Sequence, residues 1–270
     1  MRYGMIAGNG RFPCLALEAA RETGIELITI AIKEEAAPDI ERFAPKCYWI
    51  SLGELSRLIE ILQAEGVREV MMCGQVKHSK LYSSIRPDWR LLKLLSSLRE
   101  KSTDALIGGV AKALENEGIR LVDSTLLLKP LLAGDGTLTK RGLARDEERD
   151  IQYGRRIAAA LSSLDIGQSV AVADRACVAV EAMEGTDAML RRAAGLVNGR
   201  PLRLVKASRR RAHLLFDVPV AGPQTIAVMR ETNTTALAVD AGRTLLLDRT
   251  EMLSAADAAG IAVVGFRVED

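Results

Sequence analysis

The amino-acid sequence predicts an α/β protein, with an N-terminal Rossmann-like parallel-sheet domain and a C-terminal α/β domain with a mixed sheet. In the first half, short apolar runs alternate with helix-length segments, which is typical of a doubly wound parallel sheet. In the second half, two apolar runs are separated only by Asp174-Arg175, which indicates a β-hairpin. The Gly134-Asp135-Gly136 loop stands where this pattern changes, so we place the domains at 1–133 and 134–270.

The elements of the first half are apolar runs that end at glycine or at polar turns. The helix that begins near Phe12 ends before Gly24, and the helix that begins near Ser102 ends before Gly118, because glycine readily terminates a helix. The predicted strands are Tyr3–Ala7, Glu26–Ile32, Cys47–Ile50 and Glu69–Cys73, and the predicted helices are Phe12–Thr23, Leu55–Ala64, Trp89–Arg99 and Ser102–Glu117.

The second half lacks this regular alternation, and a mixed sheet is expected for that reason. The predicted helices are Glu147–Leu164, a segment from Thr186 through Arg192, Gly222–Arg230 and Arg249–Ala259. The predicted strands are Gln168–Ala173, Ala176–Glu181, Leu202–Lys206, Leu214–Asp217, Thr235–Val239, Thr244–Leu247 and Ile261–Val264.

Composition indicates a soluble globular chain and argues against several classes of protein. A 48% hydrophobic content with a net charge of +2 and 4% aromatic residues gives neither the basic field nor the stacking platforms of a nucleic-acid-binding protein. No apolar run approaches the roughly 20 residues that span a bilayer. The four cysteines lie in apolar runs without metal-ligand spacing, which favours reduced thiols. With no signal-peptide pattern at the N-terminus, we expect a cytoplasmic protein.

Two loops of the first half are candidates for substrate binding. The Gly8-Asn9-Gly10 turn follows the first strand, and Gln75 and Lys77 follow the fourth. Both loops are expected at the carboxyl edge of the sheet, where such sheets bind ligands. Because Pro13 replaces the third glycine of a dinucleotide-binding loop, we expect a phosphate or nucleoside contact of another kind. A solvent-facing turn lysine is the alternative for Lys77.

Clustered carboxylates in the second half are candidates for a metal site. Glu184 and Asp187 lie close to Glu181 along the chain, and Arg191 follows. Clustered carboxylate oxygens suit Mg²⁺, which binds through one or two carboxylates together with phosphate. The same residues also fit plain architecture, in which Thr186 caps a helix and Asp187 favours its dipole. Both interpretations stay open.

The stretch from Lys206 to Ile226 carries the candidate catalytic groups. Asp217 ends an apolar run just before Pro219, and Lys206 and Arg209–Arg211 precede it. A carboxylate in this position can bind a metal ion or orient a water, and the cations can neutralise phosphate. Capping of the turn by Asp217 is the structural alternative.

Short phrases along nearly the whole chain resemble one family, the bacterial UDP-2,3-diacylglucosamine pyrophosphatases. They are G-N-G-R-F-P at 8–13, G-Q-V-K at 74–77, S-T-D-A-L at 102–106, D-I-x-x-G at 150–154, L-D-I-G-Q at 164–168, A-V-E-A-M-E-G-T-D at 179–187, F-D-V-P at 216–219, G-P-x-T-I at 222–226 and A-G-R-T at 241–244. The E-G-T-D and D-V-P-x-x-G-P-x-T-I phrases are the most specific of these.

The resemblance implies hydrolysis of UDP-2,3-diacylglucosamine to UMP and 2,3-diacylglucosamine 1-phosphate in lipid A biosynthesis, with Mg²⁺ or, as a substitute, Mn²⁺. Asp217 falls at the position of the family's catalytic aspartate, and we expect it to act with Lys206 and to bind the metal together with Glu184 and Asp187. Substrate contacts are expected from Gly8, Asn9, Gly10, Gln75, Lys77, Thr186, Arg191 and Thr225. Peripheral contact with the inner membrane face and a homodimer are also expected.

One departure from the family pattern bears on these expectations. Family members carry Gln-Asp followed by an arginine just before the catalytic aspartate, whereas this chain has Ala212-His213 and then Leu214-Leu215. Arg209–Arg211 and His213 are the residues that can compensate. Two alternatives stay open: another UDP-sugar enzyme such as a transferase, and a non-catalytic nucleotide- or lipid-binding regulator.

Overall fold

The strands of the two halves of the chain form separate sheets. The computed structural model describes residues 2–76, 86–98, 103–209 and 218–268. Of the described residues, those up to Leu128 form one compact unit, and those from Lys129 on form a second. None of the helices described for either unit combines the length and the apolar character needed to cross a bilayer.

The first unit is built on a five-stranded sheet in the order β3-β2-β1-β4-β5, in which every pairing is parallel. Its strands are β1 (Arg2–Ala7), β2 (Glu26–Ile32), β3 (Lys46–Ile50), β4 (Glu69–Cys73) and β5 (Arg120–Leu121). Its helices are α1 (Phe12–Thr23), α2 (Leu55–Ala64), α3 (Trp89–Ser97) and α4 (Thr103–Asn116), with a 3-10 turn at Pro38–Arg42. The parallel sheet predicted for this half is confirmed. The order in which the chain adds strands changes direction between β1 and β4, and such a switch point is where sheets of this kind bind ligands.

The core of this unit follows from the spacing of apolar residues on its helices. Helix α2 places Leu55, Leu58, Ile59 and Leu62 on one buried face, which is the i, i+3, i+4, i+7 pattern of an amphipathic helix. That face packs with buried strand residues such as Ile30 in a single cluster.

The second unit has a six-stranded mixed sheet in the order β6-β13-β11-β9-β7-β8. Its strands are β6 (Gly136–Thr137), β7 (Ser169–Ala173), β8 (Ala176–Val180), β9 (Leu202–Lys206), β11 (Thr234–Asp240) and β13 (Ala262–Phe266). Strands β9, β11 and β13 are parallel, whereas β6, β7 and β8 pair antiparallel with their neighbours. A separate two-stranded sheet joins β10 (Val220–Ala221) to β12 (Leu245–Leu246). The mixed sheet predicted for this half is confirmed.

Helices cover both faces of this sheet. They are α5 (Arg145–Ser163), α6 (Thr186–Leu196), α7 (Pro223–Glu231) and α8 (Arg249–Ala258), and a 3-10 turn spans Lys129–Leu131. Buried Ile151 of α5 packs with Val172 and Val205 in one cluster, and Met189 of α6 packs with Leu204 in another. Alternate residues of the strands thus face different helices, as expected for strands buried on both sides.

The predicted hairpin at Asp174-Arg175 is confirmed. Both residues have positive φ, 50° and 58°, which is the backbone of a type I′ turn. The predicted strand Leu214–Asp217 lies outside the described residues. Strands β5, β6 and β10 were not expected, because a strand of two residues has no detectable period.

Candidate functional site

The loops that follow β1 and β4 are bound to each other through their backbones. Asn9 N–H donates to Gln75 O at 2.8 Å and Gln75 N–H donates to Asn9 O at 3.0 Å, while Gly8 N–H donates to Cys73 O at 2.8 Å. The structure thus brings together Gly8, Asn9, Gly10 and Gln75, which the sequence placed in separate motifs. Lys77 lies outside the described residues.

Glycine is required on both sides of this contact. A Cβ atom on Gly8 would lie 2.7 Å from Gln75 O, and one on Gly74 would lie 2.6 Å from Asn9 O. Gly74 also has a φ of 93°, which disfavours any side chain. The N–H groups of Gly8, Asn9 and Gln75 hold the loops together, and the substrate contacts expected from Gly8, Asn9, Gly10 and Gln75 stay predictions.

In the second unit, Lys206 and Thr186 belong to one hydrogen-bonded cluster. Lys206 ends β9 and donates from Nζ to Thr186 Oγ1 at 3.0 Å. Thr186 Oγ1 donates to Glu181 Oε1 at 2.9 Å and lies 3.1 Å from Ser169 Oγ. Glu181 Oε2 accepts from the N–H of Gln168 at 3.3 Å. The prediction assigned Lys206 and Thr186 separately, and the structure shows them in contact.

Strand pairing explains how residues so far apart in sequence meet. Strand β7 runs antiparallel to β9, and Ser169 at its start is paired with Lys206 at the end of β9. Glu181 follows β8, whose end lies beside the start of β7, and Thr186 begins α6. The amino end of β7 and the carboxyl ends of β8 and β9 therefore lie at the same edge of the sheet.

The carboxyl end of the neighbouring strand β11 adds a second buried polar pair. Asp240 ends β11 and accepts from Ser208 N–H at 2.6 Å and from Ser208 Oγ at 2.9 Å. Both residues are buried. Sequence reasoning did not single out either of them, nor Ser169. An acid at the end of a predicted parallel strand was the signal that points to Asp240.

Lys206 is a buried cation with hydrogen-bonding capacity to spare. It is 9% exposed, and an ammonium group has three N–H donors. Among the residues that the structure describes, no carboxylate lies within salt-bridge distance of its Nζ, which contacts Thr186. A buried ammonium group that contacts no carboxylate within the described part of the chain is costly, so an anion bound at this position would be stabilised.

The predicted residues Glu184 and Arg191 form ion pairs with other side chains. Arg192 donates to Glu184 Oε1 at 2.6 Å, and this hydrogen bond holds the pKa of Glu184 below its ordinary value. Arg191 donates two parallel bonds to Glu231, from Nε at 2.9 Å to Oε1 and from Nη2 at 3.0 Å to Oε2. Glu184 and Arg191 are therefore not bound to the Lys206 cluster in this structure.

Thr225 takes part in the start of α7. Its Oγ1 accepts from Gly222 N–H at 3.2 Å, so the side chain reaches back to the residue before the helix. This contact positions the helix N-terminus, which carries a partial positive charge and can face an anion. Thr225 thus has a local structural role, and its contact with substrate stays a prediction.

The described residues do not by themselves form a metal site. No group of three histidine, cysteine, aspartate or glutamate side chains suited to a cation occurs within 2–76, 86–98, 103–209 and 218–268. Asp187 is half-buried near the start of α6. Asp217, His213 and Arg210–Arg211 lie outside the described residues, and the metal site expected at Asp217, Glu184 and Asp187 stays a prediction.

Comparison with known proteins matches both units to one family. The family model for the LpxI N-terminal domain matches residues 2–131, and the model for the LpxI C-terminal domain matches residues 134–264. The UDP-2,3-diacylglucosamine pyrophosphatase LpxI of Caulobacter vibrioides is 32% identical to this chain over 98% of its length and 97% of the relative's.

Solved structures give only distant likenesses. The biotin carboxylase domain dimer of Hydrogenobacter thermophilus 2-oxoglutarate carboxylase is 11% identical, with a TM-score of 0.27, over 64% of this chain and 35% of that one. Phosphoribosylglycinamide synthetase from Anaerococcus prevotii is 14% identical, with a TM-score of 0.27, over 63% of this chain and 31% of that one. This chain spans about a third of the length of those proteins, and the likeness carries no conclusion about it.

The domain matches run along almost the whole chain in the same order as the two units, and the relative is matched over nearly its full length. The chain belongs to the LpxI family.

Proposed function

We propose that this protein hydrolyses the pyrophosphate of UDP-2,3-diacylglucosamine, releasing UMP and 2,3-diacylglucosamine 1-phosphate in lipid A biosynthesis. The Caulobacter vibrioides relative, 32% identical over 98% of this chain, is named for the corresponding substrate and activity. Within the structure, the observation that supports the proposal is buried Lys206 at the carboxyl edge of the second sheet, with N–H donors that can bind phosphate.

In the proposed reaction, water attacks one phosphorus atom and the bond from that phosphorus to the bridging oxygen breaks. The water oxygen stays on the attacked phosphorus, and the other phosphate leaves with the bridging oxygen. Lys206 neutralises phosphoryl oxygens as charge moves to the leaving group. Thr186, held by Glu181 and Ser169, keeps the ammonium group of Lys206 in place.

We further propose that Asp217 holds a Mg²⁺ ion or accepts the proton of the attacking water. A Mg²⁺ ion held there would supply Lewis-acid stabilisation of phosphate charge and would make a water more acidic. Asp187 is the second candidate ligand, since Glu184 is engaged by Arg192. Mn²⁺ would substitute because it prefers the same oxygen ligands.

A substrate with two acyl chains belongs to a membrane surface, so the protein would work in the cytoplasm with peripheral contact to the inner membrane. Each buried CH₂ of an acyl chain contributes about 0.8 kcal/mol, which favours transfer into an apolar cavity of the protein.

The direct test measures nucleotide products from UDP-2,3-diacylglucosamine in the presence of Mg²⁺. We expect UMP, with product lost after chelation of divalent cations. Asp217→Ala is expected to lower kcat by about 10²- to 10⁴-fold if Asp217 is a general base. The control is Glu148→Ala, which removes an exposed carboxylate of α5 and should retain the parent rate.

Three outcomes would contradict the proposal. UDP as the nucleotide product would indicate a transferase, and no turnover under any divalent cation would indicate a binding protein. An Asp217→Ala variant that melts at a lower temperature but cleaves the substrate at the parent rate would make Asp217 structural.

A further inference from the structure

Helix α3 exposes an apolar and cationic face. Trp89 is 78% exposed and Leu92 is 47% exposed, so both side chains stand in water. Lys93 and Ser96 are also exposed, and the spacing 89, 92, 93, 96 places all four residues on one side of the helix. We call this side, formed by Trp89, Leu92, Lys93 and Ser96, the outer face of α3.

The opposite side of the helix accounts for its attachment to the fold. Leu91 is buried in the core of the first unit, and Leu94 and Leu95 pack against the same cluster. Leu94 lies so close to α4 that a Cβ atom on Gly109 would be 2.9 Å from its Cδ2 atom. Packing of the helix therefore uses the inner residues, whereas Trp89 and Leu92 stay exposed.

The start of α3 is also fixed. Asp88 Oδ1 accepts from Leu91 N–H at 2.9 Å, and its Oδ2 accepts from Ser56 N–H of α2 at 2.6 Å. Burial disfavours ionisation of Asp88, but these N–H donors outweigh burial and hold the pKa of the carboxyl below its ordinary value. The Asp88 carboxylate, which is the nearest to Trp89 in sequence, therefore binds N–H groups at the N-termini of both α2 and α3. A fixed helix presents its outer face without rearrangement.

The charge on and beside the outer face is positive. Lys93 lies on it and Arg86 precedes the helix; both are exposed, and neither has an ion-pair partner among the described residues. Arg90, at the side of the face, is bound to Glu117. Tryptophan is enriched at membrane–water interfaces, and basic side chains are attracted to anionic lipid head groups.

We propose that the outer face of α3 contacts an anionic membrane surface, with Trp89 and Leu92 inserted among the head groups and Lys93 and Arg86 facing lipid phosphates. The proposal rests on the proposed function in one respect: an enzyme that acts on a diacylated sugar nucleotide must collect its substrate from a bilayer. The outer face of α3 would be the surface through which this chain reaches the bilayer.

The protein's two tryptophans allow a direct test. Trp49 lies in β3, and its Nε1–H donates to Glu41 at 2.5 Å. A Trp49→Phe variant leaves Trp89 as the reporter. We expect its emission to shift to the blue, and to be quenched by brominated acyl chains, on adding vesicles that contain phosphatidylglycerol. Vesicles of phosphatidylcholine alone should have little effect, and high salt should reverse the binding.

Matched variants then assign the contact to this face. Lys93→Gln is expected to weaken vesicle binding about fivefold, as for the loss of one cation near an anionic surface. Lys112→Gln removes an exposed lysine from neighbouring helix α4 and should leave binding unchanged. Trp89→Ala should weaken binding about tenfold or more, because the anchoring indole is lost.

Several results would overturn the proposal. One is equal binding to neutral and anionic vesicles, and another is an equal effect of Lys93→Gln and Lys112→Gln on binding. A third is a blue shift that depends on protein concentration in the absence of vesicles, because it would indicate that a second copy of the chain covers Trp89. Hydrolysis of detergent-dispersed substrate separates this proposal from the proposed function. Trp89→Ala should keep that rate and lose only hydrolysis of vesicle-embedded substrate. If vesicles bind through Trp89 but no substrate is cleaved, the proposed function fails and the membrane contact stands.

Discussion

Replacing Lys206 by methionine should separate a role in substrate binding from a role in stability. Methionine keeps the length of the buried side chain and removes the ammonium group. Loss of one partner of a buried, hydrogen-bonded charge pair costs about 2–4 kcal/mol, so kcat/KM should fall by about 30- to 1,000-fold. This figure applies only if a phosphate of the substrate binds at Lys206.

The effect on stability should be small, and the structure gives the reason. Thr186 Oγ1 keeps its contacts to Glu181 and Ser169 when the 3.0 Å bond from Lys206 is lost. A neutral hydrogen bond contributes about 0.5–1.5 kcal/mol, and removal of a buried charge offsets part of this loss. We expect a change in melting temperature within about 4 °C for a chain of this size.

The assay combines UMP release at low substrate concentration with thermal unfolding of the same sample. Arg200→Met is the control, because Arg200 is an exposed cation of the same unit that pairs with exposed Asp174. Affinity for UMP should fall with Lys206→Met, whereas affinity for uncharged uridine should not. If kcat/KM stays within about threefold of the parent value while stability falls by several kcal/mol, Lys206 is a structural cation and the reasoning fails.

Two further predictions concern the scaffold. Burial opposes ionisation of Glu147, but hydrogen bonds from Arg141 and others outweigh it and lower the pKa of Glu147 to about 2. Its contribution to stability should be complete above the ordinary pKa of 4.5 and be lost as the pH falls towards about 2. This lowering of the Glu147 pKa corresponds to about 3 kcal/mol of folding free energy, or about 2 kcal/mol once solvent screening of partly exposed Arg141 is allowed for. Glu147→Gln should lower the free energy of unfolding by that amount at pH 7, as measured with denaturant. An unchanged pH dependence in Glu147→Gln would contradict this. Gly8→Ala should destabilise the first unit by about 1–3 kcal/mol, since its Cβ would lie 2.7 Å from Gln75 O. The control is Gly108→Ala in helix α4, where no atom lies within 4 Å of the new Cβ, and it should stabilise the helix by up to about 1 kcal/mol. Equal effects of the two substitutions on the free energy of unfolding would refute the close approach.

The fold was largely predictable because local pattern and tertiary structure agree. Helix α1 and strands β2 and β4 have the predicted bounds, since each is an apolar run between clear breakers. Strands of two residues, such as β5, arise from pairing with a longer neighbour and leave no pattern of their own. Their existence depends on the sheet and not on the local sequence.

The candidate site was predictable in part of its residues but not in its contacts. Lys206 and Thr186 were both proposed from motifs, but their hydrogen bond depends on tertiary structure: β7 pairs with β9, which places Ser169 beside Lys206, and the start of α6 lies against both residues. Arg191 binds Glu231 of another helix, and this partner depends on how α6 and α7 pack. Side-chain pairing of this kind is set by tertiary geometry, which sequence spacing alone does not contain.

The cluster around Thr186 has a consequence for the direction of its protons. A hydroxyl group carries a single hydrogen, and that of Thr186 is donated to Glu181. Lys206 and Ser169 must therefore both donate to Thr186, so the array has one polarity, from ammonium through hydroxyl to carboxylate. Glu181 is therefore an indirect counter-charge of Lys206, because the neutral hydroxyl group of Thr186 lies between them. If phosphate binds at Lys206 as proposed, a direct ion pair would compete with that phosphate, whereas an indirect one through Thr186 would not.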